Sequence, residues 1–473
     1  MTLIGQGAIL CLQVGSTMVL ARLLTPSVFG LIAMMTAVTG FLALFKDLGL
    51  STATVQKRQV THDEVNLLFW VNVTVSGVLM IVVAALGPAL ALLYREPALT
   101  LITAVMSIGF LFDGLGVQHA ALLQRQMRFL ALTVIQVSSM AISVAVAIVM
   151  ALCGTGYWAL VAMSIVTAAA ATAGYWVACS WRPGRPRRAA GVREMLAFGG
   201  YLTGFNTVNY FARNMDNVLI GWRWGAGPLG LYSRAYSILM MPLQQINAPA
   251  ATVAVPAMSR LQDEPDRYRR AYREVLGKLT LITAPLVAFL TATSGWTIAI
   301  VLGPKWHGAA AIFAWLGIAA LVQPVANTTG WLFITQHRTR EFFHWGLIGS
   351  AMSVASFVIG LPHGPVGVAA AYAISGLAIR TPFLVWYVGR RGPVSAKDIL
   401  QASLRPWLIG LAVLAAIVLL RFALPGVGKV EGLALAAAVT AAIMLPVLRF
   451  TRIGKEAVAD LRLLLRRRAE ASA

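Results

Sequence analysis

Ten polar residues stand in stretches of this chain that are otherwise apolar. They are Arg22, Arg213, Arg234 and Arg380, the amides Asn206, Asn209, Asn214 and Asn217, and the carboxylates Asp113 and Asp216. A guanidinium stays ionised and can hold two oxygens of a phosphate at once. An amide can both donate to and accept from a hydroxyl. A carboxylate inside a membrane is suited to carrying a proton or Na⁺. Seven of the ten fall within Asn206–Tyr236, where two apolar helices are expected to meet at Gly225-Ala-Gly-Pro228. Arg213 and Asp216 are three residues apart and share one helix face.

Each of these has a plainer reading. Arg213–Asp216 or Asp216–Arg234 can be an internal salt bridge. Arg22 and Arg380 can snorkel to an interface. Asp113 can pair with an arginine such as Arg380, and the amides can bond helix to helix. No catalytic constellation is visible. Three cysteines in separate apolar runs and six scattered histidines offer neither a disulfide framework nor a metal site.

The elements that must position these residues follow from hydropathy. With 59% hydrophobic residues, 12% charged and a mean hydropathy of +0.76, the chain reads as an all-α polytopic membrane protein. Fourteen spans are expected. The first six are 3–24, 28–46, 67–93, 98–123, 130–152 and 156–180. The next six are 196–222, 229–257, 274–302, 310–335, 342–361 and 366–389, with a last pair at 406–424 and 431–449. Spans nine and ten are interrupted by Gly295, Gly303 and Pro304. No cleavable leader is expected before the first span.

Loop charge sets the orientation. Loops after even-numbered spans, with the tail and the span ends beside them, hold 29 Lys/Arg, against six in the loops and span ends after odd-numbered spans. Both termini are therefore expected in the cytoplasm. The net charge of +21 is explained by these loops and does not call for nucleic acid. At 1.5 Å per residue, Arg213 and Arg234 then lie ~14 Å and ~8 Å inside the outer helix ends.

The chain repeats itself at an offset of about 200–212 residues. Arg22–Leu31 matches Arg223–Leu231, Gln124–Arg128 matches Gln336–Arg340, and Gly154–Gly156 resembles Gly364–Gly367. Six spans per copy is an even number, so the copies are parallel repeats about an axis along the membrane normal, with a binding cavity expected between them. The expected domains are a first lobe at 1–181, a basic inter-lobe loop at 182–195 and a second lobe at 196–390. A helix pair at 391–450 and a basic tail at 451–473 follow. Pro242, Pro249 and Pro256 recur on nearly one face of span eight, either to bend it or simply as packed prolines. Arg182–Arg193 and Arg260–Arg273 are basic segments suited to anionic lipid.

Several strings carry a family resemblance. They are ARLLTPSVFGLIAM (Ala21–Met34), DLGLSTATVQK (Asp47–Lys57), ALLQRQMRF (Ala121–Phe129) and RNMDNVLIG (Arg213–Gly221). LGLYSRAY (Leu229–Tyr236), PLQQI (Pro242–Ile246) and VPAMSRLQDEPDRYRRAY (Val255–Tyr272) continue the pattern. They resemble the polysaccharide flippases of the multidrug/oligosaccharidyl-lipid/polysaccharide exporter superfamily, in the branch that includes colanic-acid and O-antigen exporters. One departure is that members usually begin with a short charged amphipathic leader, whereas Leu3 here already lies in the first span.

The resemblance implies two six-helix lobes around a central cavity plus two extra helices, in the bacterial inner membrane. It implies transfer of undecaprenyl-diphosphate-linked oligosaccharide from the cytoplasmic to the periplasmic leaflet by alternating access, for exopolysaccharide, capsule or O-antigen assembly. Arg213, Arg234, Arg380 and Arg22 are then the candidates for the diphosphate, and Asn206, Asn209, Asn214 and Asn217 for the glycan. Asp113 and Asp216 are either coupling sites for Na⁺ or H⁺ or structural carboxylates. No cofactor is expected. Partners are the lipid-linked oligosaccharide, membrane lipids and a polysaccharide polymerase or assembly complex. Two other readings remain: a multidrug or metabolite exporter of the same superfamily, whose cavity charge would be acidic, and a membrane polysaccharide polymerase or ligase. The short outer loops speak against that enzyme.

Overall fold

A computed structural model gives an all-helical chain and describes residues 3–45, 61–185 and 213–456, with the isolated positions 51, 54, 55, 210 and 459. The first part contains α1 (Leu3–Leu23), α2 (Pro26–Thr39), α3 (His62–Tyr94), α4 (Ala98–Met106), α5 (Ile108–Arg125), α6 (Phe129–Leu152) and α7 (Trp158–Ala178). Next come α8 (residues 213–224), α9 (Ala226–Ser259), α10 (Pro265–Ala292), α11 (Ser294–Val301), α12 (Ala309–Ala320) and α13 (Gln323–Thr335). The remainder is α14 (Thr339–Gly360), α15 (Gly364–Ser375), α16 (Thr381–Gly389), α17 (Ala396–Ala423) and α18 (Lys429–Phe450). In hydrocarbon every backbone N–H and C=O must be satisfied within its own segment, and apolar runs of this length do so as helices.

Among the described residues, ten helices are long and apolar enough to cross a membrane, or eleven if α12 and α13, bent by 42°, count as one span. The fourteen expected spans map onto these with physical differences. The second is short, with α2 only 14 residues long. Most of the seventh lies outside the described residues. The ninth breaks at Thr293 into α10 and α11. The apolar stretch Thr339–Gly389 holds two of the expected passes, reversing at Leu361–Gly364, where Gly364 has φ +74° and the rings of Phe357 and Phe357's neighbour across the turn, Tyr372, stack 5.3 Å apart. α9 runs unbroken through Pro242, Pro249 and Pro256. The basic residues of 186–195, Asn206, Asn209 and most of the tail lie outside the described residues.

The chain forms two compact units, Met1–Ser233 and Arg234–Ala473. In the first, α5 is pressed between α3 and α7. A side chain at Gly114 would meet Ser76, and one at Gly116 would meet Thr172. Thr172 Oγ1 and Trp176 Nε1 donate to the α5 carbonyls of Phe112 and Leu115, at 2.7 and 2.9 Å. The segment after α7 is strapped back onto the start of α3. Trp70 Nε1 donates to Gly184 O (2.8 Å), Asn66 Nδ2 to Arg185 O (2.5 Å) and Trp181 Nε1 to His62 Nδ1 (3.0 Å).

In the second unit, Tyr268, Tyr272 and Leu276 of α10 pack on Val325 and Phe333 of α13, Val388 of α16 and Ile399 of α17. α17 lies along α10 so closely that a side chain at Gly410 would sit 3.1 Å from the Ala284 backbone. At one end Asp398 faces Arg269 (3.6 Å) and Arg273 (3.5 Å), and at the other Arg421 donates to Ala292 O (2.8 Å).

The internal repeat recurs as a local device. Among the described residues, only Arg95, Met127 and His337 are non-glycines with positive φ; the last two, at 56° and 57°, lie 210 residues apart, two residues out of register with the Gln124–Arg128 and Gln336–Arg340 match. Both let the chain reverse after a helix, with Arg128 N donating to Leu123 O (3.0 Å) and Arg338 N to Phe333 O (2.8 Å). The following arginine then reaches the end of the sixth helix of its own repeat. Arg128 Nη1 donates to Ala178 O (2.7 Å), and Arg338 Nη1 to Val388 O (3.3 Å) and Arg391 O (2.7 Å). These carbonyls are ones that a helix C-terminus leaves unpaired. Arg338→Ala should therefore cost about 1.5–3 kcal/mol of stability, read from tryptophan fluorescence during unfolding in detergent. Met127→Gly and His337→Gly should stay within about 1 kcal/mol of the parent, because relief of the left-handed penalty offsets glycine's added entropy.

Candidate functional site

The stretch singled out in the sequence begins its described part at Tyr210, within the first unit. Tyr210 donates through its hydroxyl to Thr36 O of α2 (2.5 Å), and a side chain at Gly40 would lie 2.2 Å from that hydroxyl. α8 carries Asp216 on its inner face, 6% exposed. Asp216 Oδ2 accepts from the Tyr232 hydroxyl (2.8 Å) and Oδ1 from Asn217 N (2.7 Å). A buried carboxylate needs such donors. Tyr232 lies on α9, so this bond ties α8 to the helix that follows it. The chain passes from α8 to α9 at Gly225, whose φ of +83° suits glycine.

Beside that corner, α2 and the start of α9 cross with no side chain between them. A Cβ on Gly30 would fall 1.7 Å from Ala226 O, and one on Gly230 would fall 1.8 Å from Pro26 O. Pro26 and Ala226 are 200 residues apart, as are Gly30 and Gly230. Each glycine thus receives the helix-start carbonyl of the other repeat copy. Gly221 adds a third close approach, with its Cβ position 2.9 Å from the Tyr94 ring. Small residues that let backbones meet are the usual basis of tight helix crossing in lipid.

The sequence candidates fall into distinct settings. Arg213 is exposed and has no hydrogen-bond or ion-pair partner among the described residues. It lies one turn from Asp216 without reaching ion-pair distance. Arg22 is exposed at the end of α1, Arg234 is half-buried on α9, and Asp113 is half-buried on α5 beside the Gly114 contact. Asn214 is used locally, donating to Tyr210 O (3.0 Å), whereas the buried Oδ1 of Asn217 has no hydrogen-bond partner among the described residues.

Arg380 is caged. It closes a π-helical turn, Gly376–Arg380, between α15 and α16. Its Nε donates to Ser375 Oγ (3.1 Å), Nη1 to Ser353 Oγ (2.7 Å) and Nη2 to Tyr372 O (2.8 Å), with the Tyr372 ring 3.9 Å beneath. The structure therefore groups Arg213, Asn214, Asp216 and Asn217 on one short helix.

Sequence reasoning missed Tyr210, Tyr232 and the two glycines. A signal for the glycines was present, since Gly30 and Gly230 stand near the end of the first repeat match. Nothing in the sequence said that the matched segments touch.

Residues 19–311 match the model of a family described as polysaccharide biosynthesis protein. The chain is 25% identical over 400 residues to the lipopolysaccharide biosynthesis protein WzxC of Escherichia coli K12, covering 83% of this chain and 79% of that one. It is 24% identical over 402 residues to the succinoglycan biosynthesis transport protein ExoT of Rhizobium meliloti, covering 83% and 80%. Its fold is similar to that of the lipid II flippase MurJ in an inward closed conformation, with a TM-score of 0.75, 14% identity and coverage of 94% and 97%. An inward-facing multidrug resistance transporter of the MATE family follows at TM-score 0.61, 12% identity and coverage of 86% and 95%. The expected fold class and family resemblance agree with these findings.

The glycine crossing can be tested against internal controls. Gly30→Ala and Gly230→Ala should each lower stability by about 1–3 kcal/mol or more, because a methyl there meets backbone. Gly7→Ala and Gly77→Ala, where an added Cβ meets nothing within 4 Å, should instead stabilise their helices by about 0.5–1 kcal/mol. Tyr232→Phe removes a donor from a buried carboxylate and should cost about 1.5–3 kcal/mol. All are read as shifts of the unfolding midpoint in detergent.

Proposed function

The chain belongs to the polysaccharide biosynthesis protein family, and on that premise we propose that it is a flippase for lipid-linked oligosaccharide, feeding exopolysaccharide, capsule or O-antigen assembly. The substrate class combines a hydrophilic glycan, an anionic diphosphate and a polyprenyl tail, undecaprenyl in the family it resembles. The tail stays in the bilayer while the headgroup crosses, so the protein must supply polar and cationic surface along that path only. The observation that carries the reading is the contrast between two arginines. Arg380 has every guanidinium nitrogen engaged, while Arg213 is exposed and makes no hydrogen bond or ion pair among the described residues. An intramembrane guanidinium with unused N–H groups is positioned to bind an anion.

Arg213 and Arg22, both in the first unit, are the proposed cationic groups for the diphosphate, and Asn214 and Asn217 lie beside Arg213 to meet sugar hydroxyls. Arg380 is assigned to tie its own turn to α14 through Ser353. By the loop charge, both termini lie in the cytoplasm of a bacterial inner-membrane protein, which puts the Gly30–Gly230 crossing on the outer side. That crossing is the outer closure in an alternating-access cycle. Outward movement of a dianion is favoured by the membrane potential by on the order of 4–5 kcal/mol per 100 mV. Resetting of the empty carrier is the step at which a coupling cation would act, and Asp113 and Asp216 are the carboxylates available to it.

In a deletion strain, lipid-linked repeat units should accumulate on the cytoplasmic face and polymer should disappear; unchanged polymer and intermediates would refute the assignment. Arg213→Ala should lower export by about tenfold or more at normal protein level, with Arg213→Lys intermediate, because an ammonium lacks the bidentate fork. Arg380→Ala should instead lower the amount of folded protein. In sealed vesicles, Asp113→Asn and Asp216→Asn should each be compared with the parent under Na⁺ and pH gradients. The coupling carboxylate is the one whose loss abolishes the gradient response.

A further inference from the structure

The end of α16 carries a cationic feature that neither the fold nor the proposed track uses. Arg390 is exposed, and its guanidinium carbon sits 4.5 Å from the Trp386 ring centroid and 4.6 Å from that of Tyr387. It has no hydrogen-bond acceptor among the described residues, so the rings orient it and leave its N–H edge open. Those rings are themselves fixed. Trp345 lies 6.1 Å from Tyr387 and 5.9 Å from Phe383, which lies 5.4 Å from Trp386.

The neighbouring charge is in surplus. Two carboxylates lie near this corner: Asp398 faces Arg269 and Arg273, and Arg338 already engages both oxygens of Glu341, at 3.3 and 2.7 Å. Arg391 adds only a loose 3.7 Å contact to Glu341 and keeps a side chain that is 75% exposed. The turn to α17 is tight, since a side chain at Gly389 would lie 2.4 Å from Ala396 N, and this brings exposed Lys397 to the same end.

Below the cations the helix is apolar and outward-facing. Ile379 is 57% exposed and Trp386 52%, with exposed Pro382 between them. The spacing 379, 382, 386, 390 follows one helix face and ends in the guanidinium. Aromatic rings with an apolar body and a polar margin mark the membrane interface, and basic groups there meet anionic headgroups on the cytoplasmic side.

We infer that Arg390, Arg391 and Trp386 form a binding site for an anionic phospholipid. The phosphodiester meets the N–H edge of Arg390, Arg391 and Lys397 supply further charge, and an acyl chain lies along Trp386, Pro382 and Ile379. The site is independent of the flippase assignment, because it stands on a lipid-facing surface and needs no transported substrate.

The test is native mass spectrometry of the purified full chain in detergent, titrated separately with phosphatidylglycerol, phosphatidylcholine and inorganic pyrophosphate. The parent should retain phosphatidylglycerol and not phosphatidylcholine. Arg390→Ala with Arg391→Ala should weaken that retention by about tenfold or more. Arg390→Lys should weaken it less, and Trp386→Leu should weaken it with the arginines intact. Unfolding midpoints of the arginine variants, recorded without lipid, should stay close to the parent, since Arg390 and Arg391 lose only exposed ring contacts and a loose ion contact. Undiminished retention by the double variant, equal binding of phosphatidylcholine, or displacement of the lipid by pyrophosphate would each overturn the site.

Discussion

The structure of the first unit turns on a contact between backbones. Gly30 and Gly230 let α2 and α9 meet carbonyl against Cα, with no side chain between them. In water, burial of apolar surface could hold two helices together across a looser contact. In lipid that driving force is absent, and close packing with polar bonds must replace it. The Tyr210 and Tyr232 hydroxyls provide those bonds on either side of the crossing, to Thr36 O and Asp216. A contact of this kind either fits or does not, because a single methyl would part the helices. That property suits a closure that must be tight in one state and absent in another.

The same constraint sorts the charged groups. Arg380 lies within the apolar stretch Thr339–Gly389 of the second unit and Arg338 just before it, and each spends its guanidinium on nearby carbonyls or hydroxyls. The π-helical turn at Gly376–Arg380 frees backbone groups locally, and Arg380 folds back over them. Such arginines are scaffolding, however suggestive their positions. Arg213 is different in setting and not in type, and no property of the residue alone distinguishes it.

How much of this was readable from the chain follows from that difference. Helix positions were legible because apolar runs in lipid have one outcome, and α3, α6, α7, α17 and α18 contain or nearly match the expected spans. Less legible were the places where a helix breaks without a charge, such as Thr293 and the bend between α12 and α13. Local packing decides those. The repeat was legible as three short matches, but the register of one was off by two residues: the shared left-handed reversal is at Met127 and His337, whereas the match pairs Met127 with Thr339. Sequence alone placed Asp216 beside arginines. Its actual donor is a tyrosine sixteen residues on, brought near by the turn at Gly225. Spacing along one helix cannot reveal a partner on the next.

The seam between α10 and α17 has a mechanical consequence. It is riveted at both ends, by Asp398 to Arg269 and Arg273 and by Arg421 to Ala292, with Gly410 drawing the helices together in the middle. α17 is therefore an outrigger of α10 and cannot stay still when α10 tilts. Its exposed Leu400, Leu404, Leu408, Leu411 and Leu419 would sweep through the surrounding acyl chains on every stroke. Bilayer viscosity and thickness then act as drag on the cycle, and a stiffer membrane should slow this protein even when its substrate is plentiful.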